Sequence, residues 1–188
     1  MTIICVAKDA NGLALVADGQ ITGGGIVISD QMKKIWRVTQ GGSDWLFAGT
    51  GSVRNIQVVQ HQFTPPHGDE TNLMRYMVGT FVPSLRTTLQ EAGQEATFNG
   101  VARPDSVEMI VARGRSVFGV QANYCVIEIT APNWAAGSGS CEALGAMFAT
   151  GKETAADIAT VGVEAAIKFD AYCSGEIQVE ILSTEGAS

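Results

Sequence analysis

Residues 2–18 read TIICVAKDANGLALVAD, two apolar runs on either side of a turn sequence. The runs at 2–8 and 13–17 are rich in aliphatic and β-branched residues, which favour strands. Between them, Asp9-Ala10-Asn11-Gly12 carries the Asp, Asn and Gly that dominate turns. This stretch predicts a β-hairpin, which returns Asp18 to the neighbourhood of Thr2.

Strand and helix signals follow one another along the rest of the chain. β-rich runs predict strands at 21–29, 34–38, 45–48, 106–112, 116–120, 124–130 and 176–182. Apolar residues at three- and four-residue steps predict helices at 53–63, 73–89, 141–149 and 154–169. Pro83 lies inside the second of these helices, and we expect it to kink the helix or mark a break.

The order of these elements is strands, two helices, strands, two helices, strand. Both helix pairs are amphipathic, so each pair needs a sheet surface to cover its apolar face. Two antiparallel sheets stacked face to face, with a helix pair on each outer side, bury every apolar face. We therefore expect an α+β fold, a four-layer αββα sandwich, in a single domain over residues 1–188.

The composition disfavours several classes of protein. Of the 188 residues, 46% are hydrophobic and 16% are charged, which does not fit a disordered or fibrous chain. The net charge is −7 and Lys33–Lys34 is the only adjacent basic pair, so a nucleic-acid partner is disfavoured. The sequence lacks both a run of ~20 apolar residues and a signal peptide, and we expect a cytoplasmic protein without a membrane partner. The low charged fraction favours a subunit that sister subunits cover.

Signals for a bound cofactor are absent from the sequence. Gly23-Gly24-Gly25 is not followed by the Gly-Lys-Ser/Thr of a phosphate loop, so we expect no cofactor and assign any use of ATP to a partner protein. The only histidines, His61 and His67, have no Ser or Cys motif nearby, which disfavours a serine or cysteine triad. The cysteines lack metal-ligand spacing and are interpreted as reduced thiols: Cys5, Cys125, Cys141 and Cys173. Binding of a cation near the carboxy-terminal loops stays open.

Thr2 would carry two catalytic groups once Met1 is removed. Methionine is normally trimmed before a small residue, and the new α-amino group would lie beside the threonine hydroxyl. An α-amine with a pKa of about 7.7–8.0 accepts a proton near neutral pH, so it can act as base for the hydroxyl nucleophile. A lysine held by an aspartate would favour the neutral amine and a developing alkoxide, and Lys34 and Asp18 are the candidates. The alternative for both is an ordinary solvated surface charge.

Four segments in this part of the chain resemble the catalytic subunits of proteasomes. They are Thr2-Ile3-Ile4, Ala17-Asp18-Gly19-Gln20-Ile21-Thr22, Lys33-Lys34-Ile35 and Phe47-Ala48-Gly49-Thr50-Gly51. Their order and spacing are most similar to the bacterial HslV-type peptidase, an N-terminal nucleophile (Ntn) hydrolase. The resemblance spans residues 2–52, weakens across 62–105, and returns at 136–140 and 169–175.

The resemblance implies roles for individual residues. Thr2 is the nucleophile, its amine is the base, Lys34 is the electrostatic partner and Asp18 orients Lys34. Gly49 matches the glycine whose N–H forms the oxyanion hole, a role that suits a residue without a side chain. Thr22 matches a residue that holds the substrate backbone extended. Ser138 and Asp170 match groups around the terminal amine.

Two further assignments rest on position in the family. The pocket for the residue before the scissile bond is lined, by position, with Ile21, Met32, Trp36 and Phe47, which implies an apolar preference; their alternative interpretation is plain core. The family often has serine three residues after the aspartate, where this chain has Cys173, followed by Ser174. Either the thiol replaces the hydroxyl or the loop is shifted by one residue.

The sequence thus predicts a threonine endopeptidase that degrades unfolded polypeptides inside a homo-oligomeric ring. By the resemblance, an AAA+ ATPase unfoldase is the partner that feeds the ring. Two alternatives remain: an Ntn-type small-molecule amidase, and a non-catalytic scaffold subunit that keeps the sandwich. If Met1 is retained, the amine is absent and the proposed chemistry fails.

Overall fold

The computed structural model describes residues 2–98, 101–104 and 107–183. Met1 and the predicted first residue of the strand at 106–112 lie outside the described residues. The helices are α1 (Val53–Gln62), α2 (Leu73–Tyr76), α3 (Val82–Glu91), α4 (Ser140–Ala149) and α5 (Ala155–Phe169). The strands are β1 (Ile3–Lys8), β2 (Gly12–Ala17), β3 (Ile21–Gly23), β4 (Ile26–Ser29), β5 (Ile35–Gln40), β6 (Ser43–Gly51), β7 (Glu95–Phe98), β8 (Val101–Pro104), β9 (Val107–Arg113), β10 (Ser116–Val120), β11 (Val126–Glu128), β12 (Asn133–Gly137) and β13 (Gln178–Ser183).

Two antiparallel sheets form the centre of the molecule. The first has the strand order β12-β1-β2-β13, and the second has the order β11-β10-β9-β6-β5. The predicted hairpin is the β1–β2 pair, in which Ile4 lies opposite Ala17 and Lys8 opposite Leu13. Two short ladders, β3–β4 and β7–β8, stand apart from the main sheets.

Strand alternation divides the buried residues into three layers of core. Between the two sheets, Ile4 and Val6 of β1 share a core with Leu46 and Ala48 of β6. The alternate residues of β1 face α4 and α5, where Ala159 is one of the helical contacts. Because side chains of a strand point alternately to opposite faces, one strand serves two cores. The α+β four-layer αββα sandwich is confirmed.

Aromatic side chains fill the core between the second sheet and helices α1 to α3. Phe47 stacks on Trp36 with ring centroids 5.5 Å apart and planes 9° apart. Phe81 lies 6.0 Å from Phe47 and 5.0 Å from Phe63, the second contact edge-on. Offset and edge-to-face pairs of this kind add about 0.5–1.5 kcal/mol each beyond the area that they bury.

The second predicted helix is continuous over residues 73–91 and changes to a π-helical turn ahead of its proline rather than breaking. Between α2 and α3 the chain makes a π-helical turn, Met77–Phe81, and Pro83 lies in the first turn of α3. The Val82 N–H bonds the carbonyl of Met77, five residues back. A proline cannot donate to the helix ladder, so a change in the hydrogen-bond pattern near it costs few hydrogen bonds.

Three strands were not predicted from the sequence: β7, β8 and β12. The dipeptide Asn99-Gly100 between β7 and β8 is the strongest short-range hairpin signal, and it was the cue available for that pair. Residues 133–137 read NWAAG and show no alternation, yet β12 pairs with β1 and places Gly137 opposite Ile3.

Candidate active site

Strand ends bring Thr2, Asp18 and Lys34 together. Thr2 precedes β1, Asp18 follows β2, and Lys34 precedes β5. The β1–β2 register carries Asp18 back to the first residues of β1, where its N–H donates to the carbonyl of Ile3 at 3.3 Å. The hairpin therefore brings Asp18 close to Thr2, as its turn sequence predicted.

The Thr2 hydroxyl lies between a carboxylate and an ammonium group. Its Oγ1 donates to Asp18 Oδ1 at 2.6 Å and accepts a hydrogen bond from Lys34 Nζ. Lys34 Nζ is also 2.7 Å from Asp18 Oδ1. The exposed fractions are 3% for Thr2, 0% for Asp18 and 3% for Lys34. None of the three is a solvated surface residue.

Burial sets the electrostatics of this cluster. The Asp18 carboxylate also accepts backbone N–H groups of Ile3 at 3.0 Å, Gln20 at 3.3 Å and Ser174 at 3.2 Å. Burial lowers the pKa of Lys34, while the charge and hydrogen bond of Asp18 act in the opposite direction without cancelling the shift.

A cavity lies beside Thr2. The volume available to the centres of water molecules is about 50 Å³, and its wall includes Thr2, Lys34 and Gly49. Of the residues predicted to bind substrate, Thr22, Ile21 and Met32 line it. The first two lie on β3, half-buried.

Trp36 and Phe47, also predicted to bind substrate, are not among the described residues that line this cavity. They stack on each other in the core between the second sheet and the helices. Their alternative interpretation as plain core is the one that the structure supports. Val53 and Ile56, on the first turns of α1, take their place in the cavity wall.

Gly49 lies in the cavity wall, and its N–H is already engaged in a hydrogen bond. It donates to the carbonyl of Lys34 at 3.2 Å. The space beside it is filled by Ile56, because a Cβ built on Gly49 would lie 3.0 Å from Ile56 Cγ1. Use of this N–H for an oxyanion therefore requires it to exchange or share the bond to Lys34.

The carbonyl of Thr2 accepts a hydrogen bond from the Ser138 N–H at 3.0 Å. The approach depends on Gly137, which has a φ of +113°. A Cβ built on Gly137 would lie 2.0 Å from the Thr2 oxygen. Only glycine combines this backbone conformation with such close contact.

Cys173 occupies the position between Ser138 and Asp170. Its Sγ is 3.7 Å from Ser138 Oγ and donates to Asp170 Oδ2 at 3.5 Å. Ser174 meets the cluster through its backbone N–H on Asp18. Cys173 is therefore the residue whose side chain contacts both Ser138 and Asp170.

The charges of this second cluster are also set by burial and hydrogen bonds. Burial raises the pKa of Asp170, but hydrogen bonds from Ser138, the Tyr172 N–H and Cys173 outweigh it and leave the pKa below its usual value. Burial raises the pKa of Cys173 to about 12, and the negative charges of Asp18 and Asp170 act in the same direction. Cys173 is therefore a neutral hydrogen-bonding thiol and a poor nucleophile.

Comparison with solved structures identifies proteins that share this fold. BPH from Thiobacillus denitrificans is 25% identical, with 98% of this chain and 100% of that chain covered and a TM-score of 0.75; a second BPH structure, in complex with epoxomicin, gives 0.77. HslV from Trypanosoma brucei is 20% identical, with 97% and 99% covered and a TM-score of 0.69. The chain has the fold of the HslV-type peptidases. No family model and no curated protein sequence matches it.

A further relative widens this structural group. The Gly-1 mutant of Anbu from Hyphomicrobium sp. strain MC1 is 14% identical, with a TM-score of 0.72 over 97% of this chain and 82% of that chain. The proteasome-like Ntn-hydrolase fold is therefore kept at very low sequence identity.

The rest of the described chain offers fewer features for chemistry. Within residues 2–98, 101–104 and 107–183, no group of three or more His, Cys, Asp or Glu side chains could hold a metal ion. In the same ranges, no helix has the length and apolar character needed to cross a membrane. His61 is exposed on α1, and His67 contacts Gln40 at 3.0 Å.

Alkylation tests the assignment of Cys173 as a neutral thiol. We expect iodoacetamide at pH 8 to modify only Cys125 and Cys141, the exposed cysteines, because burial raises the pKa of both Cys5 and Cys173. Intact-mass measurement should show at most two adducts on the native protein and four after denaturation. Rapid labelling of Cys173 in the native protein would contradict the assignment.

Proposed function

We propose that the chain is a threonine endopeptidase subunit of a proteasome-like protease, with the Thr2 hydroxyl as nucleophile after removal of Met1. The observation that carries this proposal is that Thr2 is buried, lines a cavity, and contacts both Asp18 and Lys34 through its Oγ1. A threonine of purely structural importance has no need of a buried ion pair on its hydroxyl.

The proposed reaction follows the pattern of nucleophilic catalysis. The free α-amine of Thr2 takes the hydroxyl proton, directly or through a water, and Oγ1 bonds to the substrate carbonyl carbon. The amine then gives that proton to the leaving nitrogen as the peptide bond breaks, which leaves an ester on Thr2. Attack of water on the ester releases the second product and restores the hydroxyl.

The surrounding groups have distinct tasks in this scheme. Lys34, as the ammonium ion, stabilises negative charge that develops on Oγ1 and disfavours protonation of the nearby amine. Asp18 fixes the ammonium position at 2.7 Å. Ser138 holds the Thr2 backbone, and Asp170, through Ser138 and Cys173, supports the region of the terminal amine.

Recognition of an extended peptide fits the geometry of β3. Within the described residues, β3 pairs only with β4, so its other edge has no strand partner. Ile21 and Thr22 place that strand in the wall of the cavity. A substrate chain that adds to this edge would present alternate side chains to pockets, the β-augmentation mode. This supports a polypeptide substrate over a small amide.

We expect Ile56 to limit the size of the side chain accepted before the scissile bond. Ile56→Ala should raise kcat/KM for leucine or phenylalanine relative to alanine at that position by about tenfold, since side-chain volume in an apolar pocket carries factors of this size. A series of fluorogenic peptides measures the ratio. Val59→Ala, a truncation in the same helix at a buried residue outside the cavity wall, is the matched control. Equal ratios in both variants would remove Ile56 from the pocket.

The comparisons support the proposal at the level of inhibitor class. BPH, similar over nearly the whole chain, has been solved in complex with epoxomicin. Epoxyketones react with a hydroxyl and a free amine on one terminal residue, and Thr2 would supply both.

The HslV neighbours further support assembly as a homo-oligomeric ring. Exposed apolar side chains on α4 and α5, Phe148 at 91% and Phe169 at 74%, suit a surface that another subunit covers. An AAA+ ATPase remains the proposed partner.

Hydrolysis of an unfolded protein tests the function. We expect the purified assembly to cut casein or a reduced, unfolded protein into peptides without any metal or ATP, and to leave a tightly folded protein intact. Hydrolysis only of small amides would favour the amidase alternative. No hydrolysis of either, with Met1 removed, would favour the non-catalytic scaffold.

A further inference from the structure

The segment that joins β4 to β5 carries two residues of the site but has no regular structure. Met32 forms part of the cavity wall, and Lys34 contacts the nucleophile. Residues 31–34 lie outside any helix or strand, since β5 begins at Ile35. The Gly49 N–H of β6 holds the Lys34 carbonyl at 3.2 Å, and the Lys34 N–H and the residues before it are held by contacts from outside the β5–β6 ladder.

Gln178, the first residue of β13, bridges this segment with its side-chain amide. Its Oε1 accepts the Lys34 N–H at 2.9 Å, and its Nε2 donates to the carbonyl of Met32. A backbone N–H can only donate and a carbonyl can only accept, so these partners fix the orientation of the amide. One side chain thus fixes the backbone on both sides of Lys33.

Two backbone hydrogen bonds nearby also hold the segment that joins β4 to β5. The Met32 N–H donates to the carbonyl of Gly19 at 2.9 Å, and the Glu176 N–H donates to the carbonyl of Asp30 at 2.9 Å. Gly19 is close to the same segment, because a Cβ built on it would lie 2.3 Å from the Asp30 oxygen. Residues that adjoin β2 and β13 of the first sheet thereby hold a segment that continues into β5 of the second sheet.

We propose that Gln178 is a positioning residue for the reaction, acting through Lys34 on the nucleophile and through Met32 on the substrate pocket. This inference rests on the proposed function. Lysine has a flexible four-carbon stem, so its ammonium group is placed accurately only if its backbone is fixed. Loss of the amide would leave the Lys34 N–H and the Met32 carbonyl without these partners and allow the segment to shift.

The two halves of the amide have separable tasks, which glutamate and methionine variants can distinguish. Gln178→Glu keeps an acceptor for the Lys34 N–H but loses the donor to Met32. Gln178→Met, nearly isosteric, loses both. Gln31→Met is the matched control, because Gln31 lies in the same segment with its side chain exposed.

We expect Gln178→Met to lower kcat by about tenfold or more, as displacement of a catalytic group by about 1 Å does. Its acid limb in the pH profile of kcat/KM should move to higher pH, because a displaced Lys34 disfavours protonation of the terminal amine less. Gln178→Glu should keep kcat within about threefold of wild type but change the ranking of leucine and alanine substrates through Met32. Gln31→Met should match wild type in both.

The outcomes separate this inference from the proposed function. A wild-type protein without hydrolytic activity would refute the proposed function. An active wild type whose Gln178→Met variant keeps its kcat and its pH profile would refute the inference. Should Gln178→Met fail to fold, Gln178→Glu decides, since an unchanged substrate ranking in that variant contradicts the role through Met32.

Discussion

Replacement of Thr2 by alanine is expected to lower kcat/KM for peptide hydrolysis by about 10³-fold or more, because the variant lacks the nucleophilic oxygen. The Lys34–Asp18 ion pair remains at 2.7 Å, so the fold should persist and the melting temperature should stay within a few degrees of wild type. Methionine is also trimmed before alanine, so the terminal amine is present in both proteins.

Thr2→Ser is the matched variant for this prediction. It keeps the hydroxyl and the amine but loses the methyl group that restricts χ1 of a β-branched side chain. We expect activity to fall by only about tenfold, because the hydroxyl visits more rotamers. If Thr2→Ala hydrolyses peptides as fast as Thr2→Ser, the threonine oxygen is not the nucleophile.

Replacement of Lys34 by methionine should affect activity and stability together. The variant loses the charge beside Oγ1, and we expect kcat to fall by about 10²–10³-fold, as when a positioned electrostatic group is removed. It also leaves the Asp18 carboxylate, which is 0% exposed, without its ion-pair partner. Breaking a buried pair in this way costs about 3–5 kcal/mol of the free energy of unfolding, measurable by chemical denaturation.

The double variant Lys34→Met/Asp18→Asn is the control for the stability part. Each single change leaves one buried charge unpaired, whereas the double change leaves none. The loss of unfolding free energy in the double variant should therefore be smaller than the sum of the two single losses by about 1 kcal/mol or more. Strict additivity would contradict a direct pairing of the two groups. Activity should stay low in all three variants.

The hairpin and the layers could be predicted because they depend on local patterns. Thr2 and Asp18 lie at the two open ends of one hairpin, so a turn at residues 9–12 was enough to bring them together. The helices of the outer layers were visible as stripes of three- and four-residue spacing. An irregularity in the second helix was expected from the missing N–H of Pro83, and the helix has a π-helical turn just ahead of it.

The wall of the pocket could not be predicted in the same way. Strand β6 is buried on both faces, so alternation alone does not say which face meets the site. Phe47 turned out to face the helices, and Ile56 reached the cavity from the helix that follows β6. A buried apolar side chain has the same pattern in a core and in a pocket.

Long-range polar contacts gave no signal in the sequence. Gln178 meets Lys34 across 144 residues, and no spacing or motif marks that pair. The thiol of Cys173 could be placed against Ser138 only once the loop register was known. The engagement of the Gly49 N–H by Lys34 depends on the β5–β6 register rather than on residue type.

The mass of the intact protein, before and after incubation with epoxomicin, tests the central claim most directly. The account predicts a chain without Met1 that gains the mass of one inhibitor molecule, and a Thr2→Ala variant that gains none. A chain that has lost Met1 and still takes up no inhibitor, or a Thr2→Ala variant that is modified like wild type, would contradict a terminal-threonine mechanism.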